Sequence, residues 1–357
     1  MKRAILISCI LTLFISCNKK ANRRSAEADA LLVELQNVAT HGFMFGHHDD
    51  PVYGVGWWGD TARSDVKSVC SDYPAVFSFD LGDIEHGSDV NLDNVPFAAI
   101  RAKIIEHHLR GGIITLSWHA DNPATGGDSW DVSDTAVVAS ILPEGQNHAK
   151  FLAWLNNLTT FFNSCTTPDG AKIPIIFRPY HENSGSWFWW GAKLCTAEQY
   201  KTLWRMTRDY LMQNGVNQLL YAYSPQDITD EANYLERYAG DRYVDILGCD
   251  QYMFGNRDEY IAKVNADLTA ITALGKARNK PVAFTETGYE AIPDSLWWTE
   301  TLLPLVKKYP ISYLVVWRNA CEQPNHFYAP FPGQISAPDF VKFYEDERTV
   351  FLRDMKQ

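Results

Sequence analysis

The chain has 357 residues, 46% of them hydrophobic and 21% charged, a globular composition that excludes a disordered protein. Lys plus Arg number 32 against 43 Asp plus Glu, a net charge of −11 with no basic stripe to offset it, so the surface repels a phosphate backbone and excludes nucleic acid as a partner. Aromatic content is high, with 12 Trp, 17 Tyr and 18 Phe, several of them clustered.

Met1-Lys2-Arg3 is a short basic start, followed by a mostly apolar run from Ala4 to Ile15. That run is shorter than the roughly 20 residues that span a bilayer, and it fits a signal-peptide core. Residues 1–16 therefore read as a signal. Phe14-Ile15-Ser16-Cys17 resembles the bacterial lipoprotein box, in which the cysteine is acylated and becomes the new N-terminus. A plain secretory signal with a chance cysteine is the alternative. Residues 17–25 form a polar tether and 26–357 a single folded domain, so membrane contact is expected through the lipid anchor only. The tether is basic, whereas some surface-exported lipoproteins carry acidic residues there. This favours the periplasmic face of a Gram-negative-type cell. Without Cys9 and Cys17, five cysteines remain (Cys70, Cys165, Cys195, Cys249 and Cys321), so at least one stays free or pairs between chains, and none is spaced C-x-x-C. An oxidising compartment permits one disulfide.

The folded part alternates short β-rich runs with longer segments of helical period. Strands are predicted at Phe43–Gly46, Ala75–Asp80, Gly112–Trp118, Ile173–Arg178, Leu219–Tyr223, Val244–Cys249, Val282–Thr285 and Ser312–Trp317. Helices are predicted at Asn94–Arg110, Asn147–Asn163, Ala197–Gln213, Arg257–Ala277 and Ser295–Lys308. Near-continuous apolar strands suit a parallel sheet covered on both faces. Eight of them with helical crossovers predict a (β/α)₈ barrel, and no Gly-x-Gly-x-x-Gly follows the first strand to suggest a dinucleotide fold. Chemistry in a barrel sits past the C-terminal strand ends. Here those positions read His47-His48-Asp49-Asp50, Asp80-Leu81-Gly82-Asp83, Trp118-His119, Arg178-Pro179-Tyr180-His181-Glu182, Ser224-Pro225-Gln226-Asp227, Asp250-Gln251-Tyr252, Glu286-Thr287-Gly288 and Trp317-Arg318-Asn319.

Glu182 follows the fourth strand and Glu286 the seventh, across the barrel mouth from one another. A retaining glycosidase needs such a pair of carboxyls, about 5–5.5 Å apart, one a nucleophile and the other an acid/base. A Trp-rich wall would keep Glu182 protonated, and hydrogen bonds from Arg or Tyr would keep Glu286 ionised. As a lone residue either Glu would read as a loop or salt-bridge group; the pairing carries the inference.

Arg178-Pro179-Tyr180-His181-Glu182 followed by Ser186-Trp187-Phe188-Trp189-Trp190-Gly191 resembles the acid/base motif of glycoside hydrolase family 26, the β-mannanase family among (β/α)₈ retaining glycosidases. Phe284-Thr285-Glu286-Thr287-Gly288 is similar to its nucleophile region. Further matches are Phe45-Gly46-His47, Ser117-Trp118-His119 with Asn122-Pro123, Asp250-Gln251-Tyr252 and Trp317-Arg318. The resemblance implies cleavage of β-1,4-mannosidic linkages in mannan, galactomannan or glucomannan with no cofactor. It implies Glu182 as acid/base and Glu286 as nucleophile. His119 and His181 would meet sugar hydroxyls in the −1 subsite, and Tyr252 would hydrogen-bond the nucleophile. Trp317 would form the −1 floor and Trp187 a platform beyond the acid, with Asp250 and Arg318 at −2. The alternatives are an exo-acting, mannobiose-releasing enzyme, favoured if the long loops at 120–145 and 319–338 wall off one end, a β-xylanase or β-glucanase of the same family, and a non-catalytic glycan-binding barrel.

Other features read more plainly. His47 and His48 are adjacent on a strand end and point to opposite sides, which argues against a shared metal ion and for polar rim positions, His47 near a distal subsite. No metal is expected. His107-His108 lies late in a helix, where cations suit the dipole, which points to a structural role. Trp57-Trp58 sits in a Gly-rich loop where substrate contact and packing are equally open, whereas Trp297-Trp298 fits barrel packing. The Asn157-Leu158-Thr159 sequon lies on a helix and is discounted. No Gly-x-Ser-x-Gly or His-Glu-x-x-His motif is present.

Overall fold

The computed structural model describes residues 23–355. The signal segment 1–16, Cys17 and the tether up to residue 22 lie outside the described residues. Eight parallel strands close into a barrel: β1 Phe43–His48, β2 Val76–Asp80, β3 Ile113–Trp118, β4 Ile175–Pro179, β5 Leu219–Tyr223, β6 Ile246–Met253, β7 Val282–Tyr289 and β8 Tyr313–Val316. Closure comes from β8 pairing back on β1, with Met44 opposite Tyr313 and His47 opposite Val316. Gly46 lies where β1 is squeezed between its neighbours; a Cβ there would come within 2.9 Å of Val315.

Alternation along each strand sorts the side chains. Outward positions such as Phe45, Phe77, Leu116, Phe177 and Phe284 pack under the surrounding helices in the main core. Inward positions are apolar only at the bottom of the barrel, where Met44, Val76, Ile113, Ile176, Leu220, Ile246, Ala283 and Tyr313 form a separate core. That lower core is plugged by α1, Ala26–Val38, through Ala28, Leu31, Leu35 and Val38. Their spacing is one helical face. Ser25 caps this helix, and Arg24 pairs with Asp29 and Asp245, so the residues just before the domain are docked onto it.

The outer helices Phe97–Leu109, His148–Ser164, Ala197–Gln213 and Arg257–Arg278 lie within a few residues of their predicted spans. Ala197–Gln213 begins with a full capping box between Thr196 and Gln199. The predicted helix Ser295–Lys308 is instead a π-turn, Trp298–Leu302, running into a short α-helix, Leu303–Val306. Trp297 and Trp298 are fully buried there, as packing residues. Among the described residues no helix is long and apolar enough to cross a membrane.

Two sequence expectations are corrected and a third holds by another cause. His107 has the structural role expected of it, though as a buried packing residue and not as a cation at the helix end: burial pushes its imidazole down to about 3, and it is stacked on Phe77 and bonded to the Ala75 carbonyl. His47 is fully buried rather than a rim residue, with Nδ1 2.8 Å from Asp50. The five described cysteines are all free thiols, so the possible disulfide does not form.

Candidate active site

Two or four residues beyond the apolar layer along each strand direction, the inward positions are polar or aromatic: His48, Asp80, Ser117, Arg178, Ser224, Asp250, Thr285 and Trp317. The last polar rung opens into a cleft of about 380 Å³ lined by Glu182, Glu286, His119, His181, Tyr252 and Trp317, with Trp130, Trp187 and Phe254 at its rim. The strand-end residues are therefore together, and both glutamates face one space.

Glu286 is inside β7, not past its end, and a β-bulge aims it. Cys249 pairs with Phe284 but Asp250 pairs with Glu286, so Thr285 is an extra residue relative to β6. The same offset appears on the other side, where Leu314 faces Phe284 and Val316 faces Thr287. Strict alternation would turn Glu286 outward; the bulge lets Thr285 and Glu286 both point into the barrel. The Arg178 guanidinium donates to one carboxylate oxygen of Glu286, and the Tyr252 hydroxyl donates to the other at 2.8 Å. These are the Arg and Tyr donors anticipated for this residue.

Asp250 does not fit the −2 sugar contact expected of it. It is fully buried beneath the cleft, accepting from Arg178 at 2.9 Å and from Ser224 and Thr285 at 3.0 and 2.6 Å. Burial pushes its carboxyl up to about 7, with Arg178 pulling it down and Glu286 pushing it up. Its role in the fold is to hold Arg178, which in turn holds Glu286.

Glu182 sits on a tight loop after β4 in which both Tyr180 and Glu182 take left-handed backbone angles, φ 51° and 52°. Non-glycine residues adopt that conformation only where surroundings impose it. Here the Glu182 amide donates to the Ser224 carbonyl at 2.8 Å, Tyr200 donates to the Tyr180 carbonyl at 2.9 Å and Trp190 to the His181 carbonyl at 2.8 Å. The Trp motif thus divides its labour. Trp189 and Trp190 are buried pillars, while Trp187 is 36% exposed and its indole N–H donates to Glu182 at 2.7 Å. Burial raises the Glu182 carboxyl well above the ordinary range, and the charges of Glu286 and Asp250 add to this; the Trp187 hydrogen bond opposes it.

His119 and His181 meet each other across the cleft floor, Nε2 to Nε2 at 3.2 Å. His119 Nδ1 donates to Asp80 at 2.7 Å. Burial disfavours the His119 cation, but Asp80 and the Glu286 charge outweigh it, and its pKa is raised. His181 is pushed well below the ordinary range by burial and by Arg178 and His119. The two imidazoles share one hydrogen bond through their Nε2 atoms. Trp317 stacks on His48 at 4.1 Å and lies edge-on to His119 at 6.0 Å, an apolar floor beside these polar groups.

Arg318 lies beside that floor, paired with Asp93 at 3.2 Å and donating to the Tyr53 hydroxyl at 3.3 Å. Asp93 thus occupies the place beside Arg318 that Asp250 does not. It lies in a loop far from any strand end, so its position was not readable from the strand pattern. Tyr53 belongs to a small hairpin, Tyr53–Gly54 with Trp57–Trp58, in which Trp57 is buried on Asp65 and Trp58 stacks on Tyr53 at 5.0 Å. His48, Asp49 and Asp93 bring three donors of metal-ligand type together, and Asp83, His86 and Asp121 do so at the surface. In the first group Arg318 already supplies the cation next to Asp93.

Comparison with known proteins agrees with this geometry. Residues 20–328 match the model of glycosyl hydrolase family 26. A mannan endo-1,4-beta-mannosidase of Bifidobacterium adolescentis is 33% identical over 91% of this chain; the chain spans only 34% of that protein's length. A family 26 β-mannanase of Bacteroides ovatus is 56% identical, with a TM-score of 0.92 over 93% of this chain and 96% of that one. A modular endo-β-1,4-mannanase of Cellulomonas fimi is 33% identical with a TM-score of 0.85, covering 94% of this chain and 77% of that one. The chain belongs to glycosyl hydrolase family 26.

Proposed function

We propose that the protein is a retaining endo-β-1,4-mannanase. The observation that carries this reading is a pair of glutamates, one on the loop after β4 and one within β7, lining one cleft with different partners. Glu182 is kept protonated by burial and neighbouring carboxylates, while Glu286 is held by two donors. In the first step Glu286 attacks the anomeric carbon as Glu182 gives its proton to the departing glycosidic oxygen. In the second, Glu182, now a carboxylate, takes a proton from a water molecule, which attacks the glycosyl ester and frees Glu286.

His119 and His181 bind hydroxyls of the reacting sugar, Trp317 packs against its C–H face, Trp187 carries the sugar on the leaving side, and Arg318 with Asp93 meets the next sugar inward. The mannan substrate is supported by the family and by the named mannanases among its relatives. The test is to incubate the protein with β-mannan, xylan and mixed-linkage glucan and follow products over time by chromatography. An early spread of manno-oligosaccharides is expected. Mannobiose alone from the first minutes replaces endo by exo attack, with Trp130 from loop 120–145 and His326 and Tyr328 from loop 319–338 as the wall. Release from xylan or glucan and not from mannan overturns the substrate.

We further infer from the sequence that Cys17 is acylated and holds the enzyme at the periplasmic face of a membrane. Labelled palmitate entering the wild type but not Cys17→Ser supports the anchor, and no label in either removes it. Protease resistance in intact cells supports the periplasmic face, and degradation there places the protein outside.

A further inference from the structure

Phe254 is 88% exposed, the most exposed of the large hydrophobic side chains among the described residues. A phenylalanine left in water forgoes its burial free energy, and the other phenylalanines among the described residues are buried or half-buried. Yet this one lines the cleft, one residue past the end of β6. It is not a loose tip: the ring leans on Tyr252 at 6.2 Å, and Tyr252 is bonded to Glu286.

Its side of the cleft is the acid's side. Glu182 follows β4, and its amide is bonded to Ser224 at the end of β5. From β5 and β6 the cleft receives Gln226, Gln251 and Phe254, and from the acid loop it receives Trp187. The opposite side is built by Trp317, His119 and Trp130 from β8 and β3. The bond that breaks takes its proton from Glu182, so the departing sugar lies between Trp187 and the β5–β6 rim. That rim offers one aromatic surface, Phe254, and two amide side chains of the kind that pair with hydroxyls.

We propose that Phe254 is the second wall of a leaving-group subsite, a specificity-determining residue that packs against a β-linked hexopyranose on the aglycone side, facing Trp187, with Gln226 and Gln251 as its polar partners. This rests on the hydrolase reading above and deepens it. Free exposure of the ring then has a purpose: the burial it lacks in the empty enzyme is supplied by the sugar C–H face.

The test compares two substrates that differ only on the leaving side. From mannobiosyl fluoride the leaving group is a single fluoride ion, which places nothing in the subsite, whereas cleavage of mannopentaose expels a manno-oligosaccharide through it. For Phe254→Ala, kcat/KM on mannopentaose is expected to fall by at least ten-fold more than on mannobiosyl fluoride. Phe254→Tyr should recover most of that difference. Equal losses on both substrates, or no loss on mannopentaose, overturn the proposal. Failure of the broader reading looks different, because the wild type then turns over neither manno substrate. The same pair of variants is in that case compared on xylobiosyl or cellobiosyl fluoride and the matching pentasaccharide, with the same ratio deciding.

Discussion

Arg178→Met tests the buried charge network from which Glu286 is held. Arg178 is almost wholly buried and donates to two carboxylates, Asp250 and Glu286. Removing one partner of a buried ionic network leaves uncompensated charge, and such losses run to about 3–5 kcal/mol. At about 2.1 cal/mol/K per residue, a domain spanning residues 26–357 loses roughly 1.4 °C per kcal/mol, so the Tm is expected to fall by about 4–7 °C. The pH dependence gives the sharper prediction. Asp250 has a folded pKa of about 7 even with Arg178 beside it, against roughly 3.9 in an unfolded chain. Between those values the folded state binds the extra proton, so this group's contribution to stability falls as pH rises from about 4 through 7. Without Arg178 the folded pKa moves higher still, the falling range extends further, and the deficit of the variant grows between pH 5 and pH 8. Urea unfolding followed by circular dichroism at the two pH values measures it. A variant within about 1 kcal/mol of wild type at pH 8, or a deficit larger at pH 5 than at pH 8, would refute the reasoning. Adding Asp250→Asn should restore part of the loss at pH 8, because it removes one of the two stranded charges.

Other expectations concern the reaction itself. Glu286→Ala is expected to abolish turnover. Glu182→Ala should retain hydrolysis of aryl mannobiosides whose leaving groups need no proton, and loss of that residual activity would count against its acid role. Trp187→Phe removes the 2.7 Å hydrogen bond that favours ionised Glu182, so the alkaline limb of kcat/KM should move to higher pH. A limb that stays in place or moves to lower pH shows that Trp187 does not tune the acid. This readout is separate from any loss of sugar stacking, which lowers kcat/KM at every pH.

Much of the molecule was legible in the chain. The barrel followed from apolar runs separated by helical segments, because parallel strands buried on both faces must be apolar and their crossovers must be amphipathic. Leu219–Tyr223 and Ala197–Gln213 have the predicted ends, since their boundaries are set by local signals such as the Thr196–Gln199 box. The strand count placed Glu182 and Glu286 opposite one another, and the Trp motif after β4 marked the acid loop. What the sequence left open depends on contacts between distant residues. The bulge at Thr285 exists only relative to β6 and β8, so no period within β7 reveals that Glu286 points inward. Asp250 reads like any polar strand end, and only the approach of Arg178, 72 positions earlier, makes it a buried counter-charge and leaves Asp93 beside Arg318. Trp187, Trp189 and Trp190 are the same residue type within four positions, yet one faces the cleft and two are pillars, because the left-handed turns at Tyr180 and Glu182 set which way the loop faces. Periodicity and strand order are properties of the chain; register, burial and charge compensation belong to the pairs that folding brings together.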